Sequence, residues 1–576
     1  MSAPPADAPW IVQKYGGTSV GKFLDTIVGT ICPSYQATHR VAIVCSARSG
    51  KTKALGTTTL LLQAGAQAIA VATSPCTSAD GTPVSGSIVG LPQSAGASVP
   101  MHLPQLDLPP YLATVDMILA DHLDAARAAI SSERLRAGLE RAITDDCDHL
   151  RALLRAARTL HEVSPRSRDM IMGLGERLSC RIVAAALEER GIASELVALD
   201  TIVDELGEEW AARPSGSLED AEFLDQSFYD QLSAALAERI RTCRGVPVVT
   251  GYFGNVPGSL LSQVGRGYTD LCAALCAVGL HARELQIWKE VDGVFTADPR
   301  KVPTARLVPA ITPEEAAELT YYGSEVIHPF TMEQAIKRQI PIRIKNVENP
   351  TGCGTVIFPD PVSRSVAEDV QHDPFLDGHV EQPVPPASGA ATPTAGPPLM
   401  TPVAAVPRKV PTAVTIKDNI IVLNVHSNRK TISHGFFARI FGTLDRYGVV
   451  VDLISTSEVH VSLAMTASLK LRTLERLTAE LEHVGTVSVL RGMVILSLVG
   501  KEMRHMVGVA GRMFSTLAEG NINIEMISQG ANEINISCVI HEKAALKALN
   551  LIHYSILELS PKPCNMEGGS FGRSFF

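Results

Sequence analysis

The sequence predicts an α/β protein in two parts: a mostly parallel open sheet flanked by helices, then a C-terminal pair of small βαββαβ units. Three observations predict it. Residues 10–360 alternate short apolar runs with helical patterns, a Pro/Ala-rich stretch then breaks all periodicity, and the segment beyond it repeats itself. At 576 residues the chain exceeds one ordinary core. Apolar residues at 45% and charged residues at 19% fit a soluble globular enzyme better than a disordered or fibrous chain. A net charge of −9 with no strongly basic tract argues against nucleic-acid binding, and no apolar stretch is long enough to cross a bilayer.

Taken in order, "MSAPPADAPW" has neither the basic and apolar regions of a secretory signal nor the arginines of a transit peptide, so the cytoplasm is the expected compartment. In "VQKYGGTSVG" (12–21), Lys14 stands just ahead of a glycine pair, with Thr18 and Ser19 directly after. Paired glycines allow positive φ and close backbone approach, and hydroxyls, amides and a lysine are what a polyphosphate requires. An ordinary Gly-Gly turn after an edge strand has the same letters. "HRVAIVCSA" (39–47), "GVPVVTGYFG" (245–254) and "ELQIWKEVDGV" (284–294) read as buried strands. "SCRIVAAALEERG" (179–191) and "TDLCAALCAVGL" (269–280) read as the helices between them. Residues 74–105, rich in Ser, Gly and Pro, read as a surface insertion. "ITPEEAAELTYYG" (311–323) opens a helix, with Thr312 as N-cap, Pro313 in the first turn and Glu315 completing a capping box.

Residues 361–412, containing "EQPVPPASGAATPTAGPPLMTPVAAVP", read as a linker between a catalytic part at 10–360 and two small domains at 413–485 and 490–560. The repeat lies in "FARIFGTLDRYGVVVDLISTSEVHVS" and "AGRMFSTLAEGNINIEMISQGANEINIS". Phe441 matches Phe514, Leu444 Leu517, Asp452 Glu525 and Ile454 Ile527, all at one offset. Each copy reads β-α-β-β and runs into a further helix. The eleven cysteines are scattered; Cys272 and Cys276, at i,i+4 in an apolar stretch, read as buried free thiols rather than a zinc site.

Candidate chemistry falls at four places. "SARSGKTKALGTT" (46–58) invites a P-loop reading, but the motif needs a glycine where Cys45 stands, so the reading fails. Its serine, arginine and glycine still lie at a strand's C-terminal end, where open α/β sheets bind ligands. "MGLGERLSC" (172–180) puts Glu176 beside Gly175 at an expected helix start, as a dipole partner or as the acceptor for a cationic substrate group. "VGRGYTDLCAALCA" (264–277) sets Arg266 between two glycines, with Thr269 as N-cap and Asp270 in the first turn. An arginine so placed suits an anion at the helix N-terminus. "WKEVDGVFTADPRKVP" (288–303) holds Lys289, Glu290, Asp292, Asp298 and Arg300, the composition of a solvated loop or of a nucleotide edge.

Together "KYGGTSVGK", "GERLSC", "GRGYTDLCAAL", "WKEVDGVFTADPR", "YYGSEVIHPF" and "IRIKNVENPTGCGT" closely resemble the aspartate kinases of the amino-acid-kinase superfamily, most of all the fungal monofunctional branch. The repeat resembles the paired, ferredoxin-like ACT domains with which such kinases sense an end-product amino acid. The resemblance covers nearly the whole chain apart from its first ten residues, the insertion, the linker and the C-terminal tail. It implies ATP- and Mg²⁺-dependent phosphorylation of the L-aspartate side-chain carboxylate to 4-phospho-L-aspartate, on the route to threonine and methionine.

Residue by residue, the resemblance puts Lys14 beside the transferred phosphoryl group, with Gly16, Gly17, Thr18 and Ser19 lining its path. Arg266 is implied to pair with the substrate α-carboxylate, Glu176 with its α-ammonium, and Asp270 to organise Lys14. Ser46 and Thr52 join the substrate side. Lys289, Glu290, Phe295 and Arg300 match adenosine and phosphate contacts, and no resident metal ligand is expected. One departure stands out: bacterial relatives read "FGAKVLHP" where this chain reads "YGSEVIHP", so Glu325 replaces a nucleotide-contacting lysine, a contact that Lys289 can take over.

The implied effector site comprises Ser433, Gly435, Phe436, Phe437, Val451, Asp452 and Ser457. A helix N-terminus there suits an amino-acid carboxylate, and Asp452 its ammonium. Threonine is the effector expected of the fungal branch, with lysine the lesser candidate. A homodimer or homotetramer through the ACT units is expected, with coupling by population shift. Among other readings, a glutamate 5-kinase is opposed by the ACT pair and "GRGYTDLCA". A fused homoserine dehydrogenase does not fit in the roughly twenty residues after the second ACT helix. An amino-acid sensor with a dead kinase domain is opposed by intact Lys14, Arg266 and Asp270, and favoured by Glu325 alone.

Overall fold

The structure is a computed structural model that describes residues 5, 7–50, 56–70, 109–206, 224–256, 259–323, 327–358, 410–427, 435–467, 469–530 and 534–557, without the side chains of Ser262, Arg266, Glu502 and Arg504. The insertion and most of the linker expected from the sequence lie outside these residues, as do Thr52, Glu325 and Ser433. The chain divides into two units, one spanning residues 12–280 and the other residues 281 onward with residues 9–11.

The first unit is α/β. Its strands β1 (Trp10–Tyr15), β2 (Arg40–Cys45), β3 (Ser194–Val197) and β4 (Val246–Thr250) are ordered β3-β4-β2-β1, with β4 parallel to both β2 and β3. β4 is buried at every position and β2 at all but Arg40, as strands covered on both faces must be. Helices α1 (Gly17–Lys22), α2 (Thr57–Ile69), α3 (Pro110–Ala129), α4 (Glu133–Leu160), α5 (Pro165–Glu189), α6 (Gln226–Arg241) and α7 (Tyr268–Leu280) surround them. α4 is amphipathic: Leu139, Ile143, Cys147, Leu150 and Leu154 form its buried stripe at steps of three and four. α7 is apolar nearly all round and buries Leu271 through Val278, with Cys272 and Cys276 inside as free thiols.

The second unit carries strands β5 (Glu284–Lys289), β6 (Ala310–Ile311), β7 (Ile342–Asn346) and β8 (Thr355–Ile357), ordered β5-β7-β8-β6. Helices α8 (Pro313–Tyr321) and α9 (Pro329–Lys337) belong to this part. The expected capping box at Thr312 and Glu315 opens α8.

A six-stranded antiparallel sheet follows, built from β9 (Ala413–Ser427), β10 (Leu453–Thr456), β11 (His460–Thr466), β12 (Gly485–Val499), β13 (Met526–Gln529) and β14 (Asn535–His541) in the order β10-β11-β9-β12-β14-β13. Helices α10 (Phe436–Arg446), α11 (Leu471–Glu482), α12 (Val509–Glu519) and α13 (Ala545–Ile552) accompany it. The repeat is visible here, since Leu444 and Leu517 are both buried while Ile454 and Ile527 lie exposed on the two edge strands.

The sequence gives no hint of how the second copy is completed. β9 and β12 are each fifteen residues long and run past both copies. The front of β9 pairs with the back of β12, from Ala413 opposite Val499 to Lys417 opposite Ile495. The strand that completes the second copy is thus contributed from ahead of the first. Register shifts lie between Leu490 and Ile495, beside Gly492 at φ 70°, and Asn419 at φ 60° bends the facing strand.

Candidate active site

Lys14 is the penultimate residue of β1 and Asp270 lies in the first turn of α7. The two meet with Nζ 2.6 Å from Oδ1, their side chains 12% and 18% exposed. The contact is an ion pair that does not meet the angular geometry of a hydrogen bond. Thr18 and Ser19 follow in α1, Ser19 fully buried.

The glycine pair serves close approach and not positive φ. Gly16 has φ −73°, and Gly17 is the first residue of α1. A Cβ on Gly17 would run into the Ala47 carbonyl oxygen, because the loop after β2 lies directly over it. The loop is laced there by Ser46 N–H to the Tyr15 carbonyl (3.1 Å) and Ser49 N–H to the Gly17 carbonyl (2.9 Å). Gly17→Ala is therefore expected to cost about 1–3 kcal/mol and to lift the loop. Gly16→Ala, whose Cβ would meet only Ser19 Oγ at 3.9 Å, is expected to be close to neutral. Thermal unfolding of the two variants checks the contrast.

Glu176 corrects the sequence reading. It lies in the middle of α5 and not at a helix start, since the helix begins at Pro165 behind a Ser164 N-cap. Gly175, which the sequence reading set at a helix start, serves packing, as does Gly173. A Cβ at Gly173 would come within 2.5–3.0 Å of the Tyr252 side chain, and one at Gly175 within 2.9–3.1 Å of Leu61, Ala47 and Thr57. The dipole role is thereby excluded. The Glu176 carboxylate is 1% exposed and accepts hydrogen bonds from Tyr252 N–H and the Thr269 hydroxyl, each at 2.6 Å. Thr269 accordingly sits inside the first turn of α7 as a donor to Glu176 and is not the N-cap.

Burial pushes the Glu176 carboxyl up to about 7, against the opposing pull of the Thr269, Tyr252 and Tyr268 hydrogen bonds and the Lys14 charge. Tyr252, Tyr268 and the donor role of Thr269 were not legible in the sequence. Arg266 lies in the 3-10 turn Gly265–Gly267 that leads into α7, with Gly265 at φ 74°. Its side chain is outside the description.

Of the nucleotide residues expected from the sequence, Lys14, Gly16 and Gly17 fall in the first unit and Lys289, Glu290, Phe295 and Arg300 in the second. Lys289 ends β5, exposed Glu290 follows, and Phe295 forms an isolated bridge to Leu307. Arg300, 89% exposed, holds Asp298 through both Nε (3.0 Å) and Nη2 (3.1 Å). Asp292 accepts from the side-chain amides of Asn346 (3.2 Å) and Asn349 (3.1 Å).

Around the expected effector site, Gly435 at φ 79° caps α10, Phe436 is buried and Phe437 is 40% exposed. Asp452 is engaged. Lys417 Nζ lies 2.8 Å from its Oδ1 and Thr466 donates to its Oδ2 at 3.2 Å. Its repeat partner Glu525 is exposed. The Val451 carbonyl accepts from the Tyr321 hydroxyl at 3.3 Å, and the Ser457 N–H donates to the His460 carbonyl at 2.8 Å. The Lys417 ammonium also stands 4.8 Å from the Tyr321 ring centroid.

The amino acid kinase family profile matches residues 9–346, and an ACT domain profile matches residues 496–556. The chain is 51% identical to the aspartokinase of Schizosaccharomyces pombe over 95% of its own length and 93% of that protein. It is 45% identical to the Saccharomyces cerevisiae aspartokinase, again over 95% and 93%. Escherichia coli aspartokinase III, solved in complex with aspartate and ADP, shares the fold at a TM-score of 0.62 and 24% identity, with 95% of this chain and 100% of that one covered. A second structure of that enzyme, in complex with lysine and aspartate, aligns at a TM-score of 0.64 and 23% identity over 95% and 99%. No helix among the described residues is long and apolar enough to cross a membrane.

Proposed function

The chain belongs to the aspartokinases of the amino acid kinase family, enzymes that use ATP to phosphorylate a carboxyl group, and from that premise we propose the roles of its residues. Lys14 neutralises the transferred phosphoryl group, and Asp270 holds the lysine in line. Glu176 takes the α-ammonium of L-aspartate and Arg266 its α-carboxylate, while Thr18, Ser19, Ser46 and Thr52 border the acceptor. Lys289, Glu290, Phe295 and Arg300 contact the nucleotide. The Lys14–Asp270 ion pair carries this reading.

Phosphoryl transfer needs in-line placement and donors to charge-bearing oxygens more than it needs covalent help from the protein. A base is unnecessary, since the acceptor carboxylate is ionised at neutral pH. Among the described residues no cluster of three or more His, Cys, Asp or Glu could hold a metal. Mg²⁺ is taken to enter with the nucleotide, bound mainly by its phosphates, as is usual for this ion in phosphoryl-transfer sites.

The reaction is the first step toward threonine and methionine, and threonine bound at the first ACT unit inhibits it. The contrast between enclosed, paired Asp452 and exposed Glu525 supports the first unit as the effector site. There the effector's ammonium takes the position of Lys417 against Asp452. A homodimer or homotetramer in the cytoplasm, with the catalytic part at 10–360 and ACT domains at 413–485 and 490–560, completes the reading.

The test is ATP-dependent acyl phosphate formation from L-aspartate, trapped as the hydroxamate, with and without threonine. Turnover that threonine suppresses supports both halves, and absent turnover with threonine still bound would leave a sensor with a retired site. Asp452→Ala is expected to keep kcat and raise the threonine concentration for half-inhibition at least about tenfold, the loss of one charge-assisted contact. Unchanged inhibition would remove Asp452 from the effector site.

A further inference from the structure

The loop after β2 carries Ser46 and roofs Gly17. Its backbone is tied inward. Arg48 N–H donates to Ser179 Oγ at 2.7 Å, and that hydroxyl donates to the Gly175 carbonyl, the residue before Glu176, at 3.1 Å. Thr57 N–H, at the start of α2, donates to the Arg48 carbonyl at 3.1 Å. The Arg48 side chain, 14% exposed, pairs with Asp121 of α3, a helix that holds no residue of any motif.

The loop backbone also lies against that carboxylate, since a Cβ on Gly50 would stand 3.6 Å from Asp121 Oδ1. The neighbouring His122 is fully buried with Nδ1 2.8 Å from the Ile118 carbonyl, and burial lowers its pKa and favours its neutral form. We infer that Asp121 is a positioning residue for the aspartate side of the site. It fixes the Arg48 guanidinium, and Arg48 locks the loop to Ser179 one turn from Glu176.

Asp121 is 43% exposed, so the pair adds little to stability and its loss reads out in kinetics. Asp121→Ala is expected to raise KM for aspartate by about five- to tenfold and leave KM for ATP within about twofold, since small misplacements near the acceptor are amplified in the rate. Asp121→Glu should recover part of the loss. Arg48→Ala should match Asp121→Ala, and the double variant should be no worse than either alone, because both remove one link.

Additive losses would overturn the inference. So would an unchanged KM for aspartate, or equal losses for both substrates with a lowered melting temperature. The inference rests on the aspartate-site placement proposed above, and Glu176→Gln run in parallel separates the two. If that variant leaves KM for aspartate unmoved the placement fails; if it raises KM while the Asp121 variants do not, only the anchor fails.

Discussion

Lys14→Ala is expected to lower kcat for aspartate phosphorylation by roughly 10³-fold, the order seen when a preorganised charge-stabilising donor is removed. The ammonium is held 2.6 Å from Asp270 with little solvent around it. Its charge is therefore in place before the transition state forms and costs no reorganisation then. The variant also leaves Asp270 unpaired at 18% exposure, now facing the incoming polyanion.

A stability loss of about 3 kcal/mol accompanies the kinetic one, because breaking a largely buried pair strands the surviving charge. Lys14→Ala/Asp270→Asn separates the two effects. That double variant should regain most of the melting temperature and none of the activity. Lys14→Arg should not rescue, since the planar guanidinium cannot occupy the point position of an ammonium. Wild-type-like kcat in Lys14→Ala would remove the lysine from the phosphoryl path.

The second large effect is expected at Glu176. Glu176→Gln should raise KM for aspartate roughly a hundredfold, about 3 kcal/mol, the loss of a desolvated charge pair. The same group sets a pH dependence. Its carboxyl titrates near 7 in the free enzyme and must be ionised to receive an ammonium. The kcat/KM for aspartate should therefore fall about tenfold per unit below pH 7, and this limb should flatten in Glu176→Gln.

The stability consequence runs in the opposite sense. The folded-state pKa lies above the usual glutamate value, so between about pH 4.5 and 7 the folded state holds a proton that the unfolded state has lost. Wild-type stability should fall across that window as pH rises, and Glu176→Gln should lack this component. Urea denaturation at several pH values measures it.

The strands were legible because continuous apolar runs such as "RVAIVC" admit little but burial on both faces. The capping box at Thr312 and Glu315 was legible because its signals lie within four residues. Lys14, Glu176 and Asp270 could be named as candidates because each sits in a short motif that resembles one of the aspartate kinases. Glu176's place in its helix was misread, since a glycine beside it suggests a helix start until Leu61 and Ala47 are seen pressing against Gly175 and Tyr252 against Gly173. Asp121 had no local signal at all, because its partner lies 73 residues away. The shared β9 was hidden for a related reason, as strand pairing from Ala413 to Val499 leaves no periodic trace at either end.

The most direct measurement compares hydroxamate formation from L-aspartate with that from succinate, a diacid of the same length without the nitrogen, in wild type and in Glu176→Gln. Wild type is expected to prefer aspartate by a factor of roughly a hundred or more in kcat/KM, and Glu176→Gln to lose most of this preference. A preference that survives intact in the variant would contradict the site at its centre.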